Sequence, residues 1–317
     1  MKRILGAIMV LVLLAGLVGC GATSEPTAPS VAQTEEEAES PTTPPLAKEL
    51  HVYNWSEYID PEIYDEFEQE FGVKVIEDTF ASNEDLLAKL QAGASGYDII
   101  VPSDYMVTIM RELDLLAELD YDNVPNSENI DSKFVDPPYD PGSTYCVPYQ
   151  WGTTGIGYDA ELFDEEPDSW AYLFDPETAG PYANKMSMLN DPREAFAAAL
   201  KYLGYSLNTT DDQELEEAKQ LLIQQKAWVS TYDSEGFEDL LAAGETMIAH
   251  GWSGDFFMAA EEAEQIWYVI PEEGGVIWTD NLCIPKTAPN KYTAEVFINY
   301  LLRPEVGAKI TNYTWYG

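Results

Sequence analysis

In the segment PEIYDEFEQEF, apolar side chains return every four positions: Ile63, Phe67 and Phe71 share one face of a helix predicted over 61–71. The runs on either side favour strands, over 49–53 before it and 74–80 after it. Ser82-Asn83-Glu84-Asp85 has the form of a capping box and opens a second helix through Leu90. Residues 97–101, YDIIV, read as an apolar run suited to a buried parallel strand, and Pro102-Ser103-Asp104-Tyr105 leads from it into another helix. This βαβαβ order predicts an open α/β sheet.

A second series follows the first. Residues 145–149 are strand-like, 193–203 and 215–225 helical, and 246–250 form an apolar strand ending in Gly251-Trp252-Ser253-Gly254-Asp255. Further strands are predicted over 266–270 and 276–278, and Asn281 to Pro285 leads into short helices over 293–302 and 304–311. No repeat at solenoid spacing is present, so two α/β lobes are expected. Their boundaries are placed at 48–147 with 284–317 for lobe 1, and 148–283 for lobe 2.

The start of the chain follows a different pattern. Lys2 and Arg3 precede uncharged, mainly apolar residues up to Gly19, too few to span a bilayer and typical of an export signal. Leu17-Val18-Gly19-Cys20 resembles the lipobox of bacterial lipoproteins, which implies a signal peptide over 1–19, cleavage before Cys20 and a lipid on its sulfur. Residues 20–47 are rich in Ser, Thr, Pro and Ala, with five glutamates, and predict a flexible acidic tether. The working part is therefore about 270 residues held outside the cytoplasmic membrane, a length that favours two lobes over one.

The formal net charge is −41, and the body stays strongly acidic without the tether. Such a field repels nucleic acid and anionic substrates and draws in cations. His51 and His250 lie in apolar strand-like runs and are expected in the core. There is no zinc spacing, phosphate loop or Cys-x-x-Cys, so no metal or cofactor is expected. Cys146 and Cys283, in an exported chain, raise the possibility of a disulfide.

Ligands of open α/β sheets bind beyond the carboxyl ends of the strands. The sequence places Trp55-Ser56-Glu57-Tyr58, Ser103-Asp104-Tyr105 and Trp252-Ser253-Gly254-Asp255 at such ends, and Trp278-Thr279-Asp280 adds another indole and carboxylate. Indole faces attract ammonium groups by about 0.5–2 kcal/mol, and carboxylates supply charge-assisted hydrogen bonds. A small organic cation with charges separated by apolar spacers uses both. An inorganic ion would leave the tryptophans idle.

In order along both lobes, NWSEY, ASNED, YDIIVPSDY, VPYQWGTTGIGY, DPREAF, GWSGD and GGVIWTDNLCIP resemble the bacterial spermidine/putrescine-binding proteins of polyamine ABC transporters, over essentially all of 50–317. The resemblance implies a type II periplasmic-binding-protein fold, with two α/β lobes closing on a polyamine and presenting it to permease subunits. Carried over by position, Trp55 and Tyr58 would pack on the ligand while Ser56 and Glu57 meet an amine. Ser103 and Tyr105 match a contact loop of the first lobe, and Asp191 and Glu194 match carboxylates of the second. Trp252 and Asp255 resemble the putrescine-binding type, whereas Trp278 and Asp280 match both types, so ligand length stays open. Tyr316 falls at a late tyrosine contact, beyond which the family continues with a closing helix, so a chain ending at Gly317 is expected to be shorter than its relatives. By the same resemblance, Cys146 and Cys283 occupy two strands crossing side by side between the lobes, where a bridge is one of two open states.

Rival patterns are weaker. Glu57 and Asp280 could serve a glycoside hydrolase, whose carboxyls stand roughly 5–10 Å apart, but so many aromatics gripping methylenes suit a receptor. His250 to Gly254 resembles a serine elbow only superficially, because Asp255 stands where that motif needs glycine. Another solute, a sugar or a different organic cation, shares the expected fold. The expectation is a monomeric, lipid-anchored, non-enzymatic binding protein on the outer face of the cytoplasmic membrane, with a polyamine and a permease as partners and no nucleic acid.

Overall fold

The computed structural model describes residues 44–317; the signal peptide, Cys20 and the tether through residue 43 lie outside the described residues. Local chemistry sets many of the element ends. Helix α1 (Pro61–Phe71) follows strand β1 (Glu49–Asn54), and its bounds match the expectation because both ends are specified. Asp60 accepts a hydrogen bond from the Glu62 amide at 2.9 Å, Pro61 fits the first turn, and Gly72 closes the helix at φ 70°, where a Cβ would be strained. Ile63 and Phe67 are buried beneath it. Strand β2 (Lys74–Thr79), helix α2 (Asn83–Gln91) with Ser82 as its cap, strand β3 (Ile99–Ile100) and helix α3 (Asp104–Glu112) complete the first series.

Three 3-10 turns between Tyr121 and Phe134, which the sequence did not announce, carry the chain to β4 (Cys146–Asp159). Two short helices, α4 (Ala171–Phe174) and α5 (Pro176–Ala179), precede β5 (Met186–Met188), α6 (Pro192–Tyr202), α7 (Asp212–Gln225) and β6 (Thr231–Tyr232). Helix α8 (Phe237–Ala242), β7 (Ile248–Trp252), α9 (Ser253–Glu262), β8 (Ile266–Val269) and β9 (Val276–Cys283) follow. Helices α10 (Lys291–Leu301) and α11 (Pro304–Thr314) end the order.

The strands form one sheet in the order β2-β1-β3-β9-β4-β7-β5-β6, with β8 paired to β4. Pairing is parallel on the flanks, where β1 joins β2 and β3 and where β5 joins β6 and β7. In the middle, β4 and β9 run antiparallel to each other and to their other neighbours. Strand β4 has 14 residues, a length of about 45 Å at the usual rise. Its first part pairs with β9 and its second with β7 and β8, so it passes from one lobe into the other.

Side-chain packing changes along that strand. Val147 belongs to a core with Leu50, Phe67, Ile100 and Phe297, whereas Ile156 belongs to a second core with Trp170, Phe174 and Met188. Trp278 and Leu282 of β9 pack with the first core. The change of core falls inside the crossing strand β4, between Val147 and Ile156.

Two expectations are corrected. The flexible tether was drawn through residue 47, yet Leu46 packs on the first core and the Ala47 amide donates to Thr293 Oγ1 at 2.9 Å. The strand expected over 276–278 continues through Cys283, which places Trp278 and Asp280 within a strand and not beyond its end. Cys146 and Cys283 stand opposite each other on β4 and β9, Cα atoms 4.5 Å apart, and form a disulfide.

Candidate functional site

Alternation along β9 puts Trp278 and Asp280 on one face, and that face looks into a cavity of about 410 Å³. Asp280 is held from two sides. Ser103 Oγ donates to its Oδ1 at 2.6 Å, and the Tyr58 hydroxyl donates to its Oδ2 at 2.8 Å. Ser103 is itself fixed by Asn83, whose Nδ2 donates to the serine hydroxyl at 2.9 Å while its Oδ1 accepts from the Ser103 amide at 3.0 Å. The sequence had not singled out Asn83, although it sits in the quoted ASNED motif.

The turn after β1 brings the opening stretch of the site. The Trp55 indole N–H donates to the Val101 carbonyl at 2.9 Å, which anchors the ring, and Trp252 meets it edge-on at 5.6 Å. Glu57 adopts φ 52°, the left-handed region uncommon for a residue with a Cβ, and its side chain is exposed at the cavity wall. A bulge in β4 between Pro148 and Gln150 lets both Tyr149 and Gln150 reach the Tyr58 carbonyl, at 2.9 and 3.0 Å, which steadies Tyr58 beneath Asp280.

The second lobe supplies the facing groups. Asp191 caps α6, its Oδ1 accepting from the Glu194 amide at 3.0 Å, and both carboxylates line the cavity. Glu194 Oε2 is buried without a hydrogen-bond partner. Asp255, in the first turn of α9, accepts a hydrogen bond from the Tyr316 hydroxyl at 2.7 Å. Tyr316 also meets the Trp278 ring at 5.1 Å. Small residues make room for this pair: a Cβ on Gly254 would lie 2.5 Å from the Tyr316 ring, and one on Gly152 2.7 Å from Trp278.

All thirteen predicted ligand residues thus line one cavity, Ser56 and Tyr105 among them. Arg193 stacks over Tyr105 at 4.7 Å and is the guanidinium in a lining otherwise charged by carboxylates. Sequence reasoning missed Ser234, Phe237 and Glu238, because strand β6 before them has only two residues and gave no strand end to inspect.

Burial disfavours the ionised forms, and Arg193 only partly offsets it at Asp191 and Glu194. Asp280 is pushed up to about 7 by burial, against the hydrogen bonds from Ser103 and Tyr58. Asp255 is pushed up to about 7 by burial, with Tyr316 opposing and Glu57 adding repulsion. Burial raises Asp191 and Glu194 as well, and proximity to Asp191 raises Glu194 further. Ionising these acids between the aromatic walls therefore costs free energy. A cation threaded between those walls lowers that cost.

Residues 62–317 match the family described as bacterial extracellular solute-binding protein. The spermidine/putrescine-binding periplasmic protein of Salmonella typhimurium is 38% identical over 269 residues, covering 84% of this chain and 76% of that one. The putrescine-binding periplasmic protein SpuD of Pseudomonas aeruginosa is 39% identical over 280 residues, with the same coverage. Among solved structures, a spermidine/putrescine ABC transporter protein of Listeria monocytogenes has a TM-score of 0.80 at 39% identity, covering 84% of this chain and 82% of that one.

Proposed function

The chain belongs to the bacterial extracellular solute-binding proteins, and from that premise we propose that it captures a polyamine, putrescine or spermidine, and delivers it to the permease of an ABC importer. The observation that carries this is the pairing of carboxylates from the two sides of one cavity, Asp280 with Asp191, Glu194 and Asp255, between the rings of Trp55, Trp252, Trp278 and Tyr316. Ammonium groups take the carboxylates and the methylene spacers take the rings. The ligand leaves unchanged, so the site needs no nucleophile or proton shuttle. The relatives named above support the same ligand class through their printed descriptions.

Capture couples to lobe movement through charge. Closing an empty cleft brings like charges together, and a bound polycation removes that opposition. The ligand shifts the open and closed populations by its difference in affinity for them, and the closed form signals occupancy to the permease. The family places the protein outside the cytoplasm; the lipobox-like Leu17 to Cys20 supports a lipid anchor there, with the body acting as a monomer.

Calorimetric titration of the exported protein, carrying Cys20→Ser so that it is released from the membrane, tests the proposal with putrescine, spermidine and spermine, and maltose as control. Micromolar or tighter binding of one polyamine is expected, and the preferred chain length settles the ligand. Heat with maltose and none with any polyamine would overturn it.

A further inference from the structure

Residues 234–238, between β6 and the first turn of α8, build one wall of the cavity. Ser234 is 6% exposed, and its hydroxyl is buried with no hydrogen-bond partner although it lines the cavity. Glu238 is 5% exposed and lines the same cavity, and no lysine or arginine of the described residues forms an ion pair with its carboxyl. Between them Phe237 meets the Trp252 ring edge-on at 5.8 Å, which fixes the wall against an indole already placed in the site. Helix α8 packs on α9, with the Phe237 and Phe256 rings 5.2 Å apart, and Trp252 meets Trp55, so Glu238, Asp255 and Glu57 line the same end of the cleft. Burial pushes Glu238 up to about 8, with repulsion from Asp255 and Glu57 adding to it.

We propose that Glu238, with Asp255, Glu57 and the Ser234 hydroxyl, completes a seat for a terminal primary ammonium, and that Glu238 sets the preference of that end for an unsubstituted amine. A primary ammonium carries three N–H donors and no acceptor. Asp255 already spends Oδ2 on Tyr316, so one carboxylate cannot satisfy those donors. Glu57 from the first lobe and Glu238 from the second supply the other acceptors, and the orphaned Ser234 hydroxyl gains a neighbour. A tertiary ammonium offers one N–H and leaves the other acceptors of the seat unpaired, buried Glu238 among them, which is the strongest basis for rejecting an analogue. This deepens the polyamine reading and rests on it.

The test titrates wild type, Glu238→Gln and Ser234→Ala, each in the exported Cys20→Ser protein, with putrescine and with its N,N,N′,N′-tetramethyl derivative, which is the same at both ends. Glu238→Gln is expected to weaken putrescine at least tenfold and the tetramethyl compound less than threefold, so discrimination falls. Ser234→Ala is expected to weaken putrescine about threefold. The melting temperature of free Glu238→Gln should equal or exceed that of wild type, whereas a merely structural glutamate would lower it. Putrescine affinity within twofold of wild type, or equal weakening of both ligands, would overturn the role of Glu238 alone. A wild type that binds no polyamine would overturn the ligand class and this seat together.

Discussion

The Tyr316 hydroxyl, seated in the first core, donates to Oδ2 of Asp255 on α9 at 2.7 Å and so joins the two sides of the cleft. That hydrogen bond favours the ionised carboxylate, against the burial that raises Asp255 to about 7. Tyr316→Phe removes the donor and keeps the ring. Hydrogen bonds to charged groups contribute about 1.5–3 kcal/mol, so polyamine affinity at pH 7 is expected to fall about tenfold. At pH 8.5, where Asp255 ionises without help, the loss should shrink. Titration at both values checks this, and an equal loss at both would show that the phenol acts only by shape.

Asp280 should tolerate loss of charge less well than any acid of the tether. Both of its oxygens are placed by Ser103 and Tyr58, so Asp280→Asn keeps the shape of the site and deletes the charge. Removing one partner of a buried charge pair costs about 2–5 kcal/mol, and polyamine binding is expected to weaken at least tenfold. Glu35→Gln should leave it unchanged. Equal effects from the two substitutions would sink the assignment of the site.

Stability and binding should respond oppositely to pH. Asp280 and Asp255 stand at about 7 and Glu238 at about 8, all raised above the carboxyl pKa near 4 of an unfolded chain. The folded protein therefore holds these protons more tightly. The stability they contribute is complete below about pH 4 and is lost as pH rises through 7 and 8. Because these carboxyls must be ionised to hold ammonium groups, affinity should fall as pH drops from 8 to 6 and not near the ordinary carboxyl value of about 4. Melting curves of the free protein should fall across this range, with a shallower slope in Asp280→Asn. The ligand-induced rise in melting temperature should grow as pH increases.

The parts of this site legible in the sequence are those announced by a strand end. Trp55 to Tyr58, Ser103 and Trp252 each follow or end a strand whose apolar run is plain. Trp278 and Asp280 were found for the wrong structural reason, since they lie inside β9 and face the cleft through strand alternation. Strand β4 was underread because VPYQWGTTGIG combines proline with three glycines. Gly152 nevertheless belongs in the strand, because the rings of Trp278 and Tyr316 occupy the space of a Cβ. Ser234 and Glu238 were invisible, because their positions depend on tertiary packing of Phe237 and not on any local period.

The Cys146–Cys283 bridge ties the two crossing strands across 137 residues of chain. Closing so long a loop restricts the unfolded state, and loss of such a bridge typically costs about 2–4 kcal/mol. The paired strands remain joined by their backbone, and neither cysteine lines the cavity. Cys146→Ser with Cys283→Ser should lower the denaturation midpoint by that amount and change polyamine affinity less than threefold. Denaturant titration beside calorimetry measures both. A larger loss of affinity than of stability would make the bridge part of the closing movement.

His250 gives the clearest prediction away from the ligand. It is fully buried on β7, its ring edge-on to Trp170 at 5.6 Å, and neither ring nitrogen has a hydrogen-bond partner. Burial alone holds its pKa down at about 3. A depressed histidine contributes stability that is present above the unfolded value near 6.5 and lost as pH falls toward 3. This slope opposes that of the cleft acids. His250→Leu removes two unsatisfied polar atoms, each costing about 1–3 kcal/mol when buried, against the strain of a reshaped side chain of about 1–3 kcal/mol. A net stabilisation of about 1 kcal/mol at pH 7 is expected, and it should increase toward pH 5 as the unfolded wild type gains its proton. Polyamine affinity, measured in the same samples, should stay within threefold. Denaturant midpoints at the two pH values decide the matter: a variant less stable than wild type at both would show that the imidazole is satisfied inside the core.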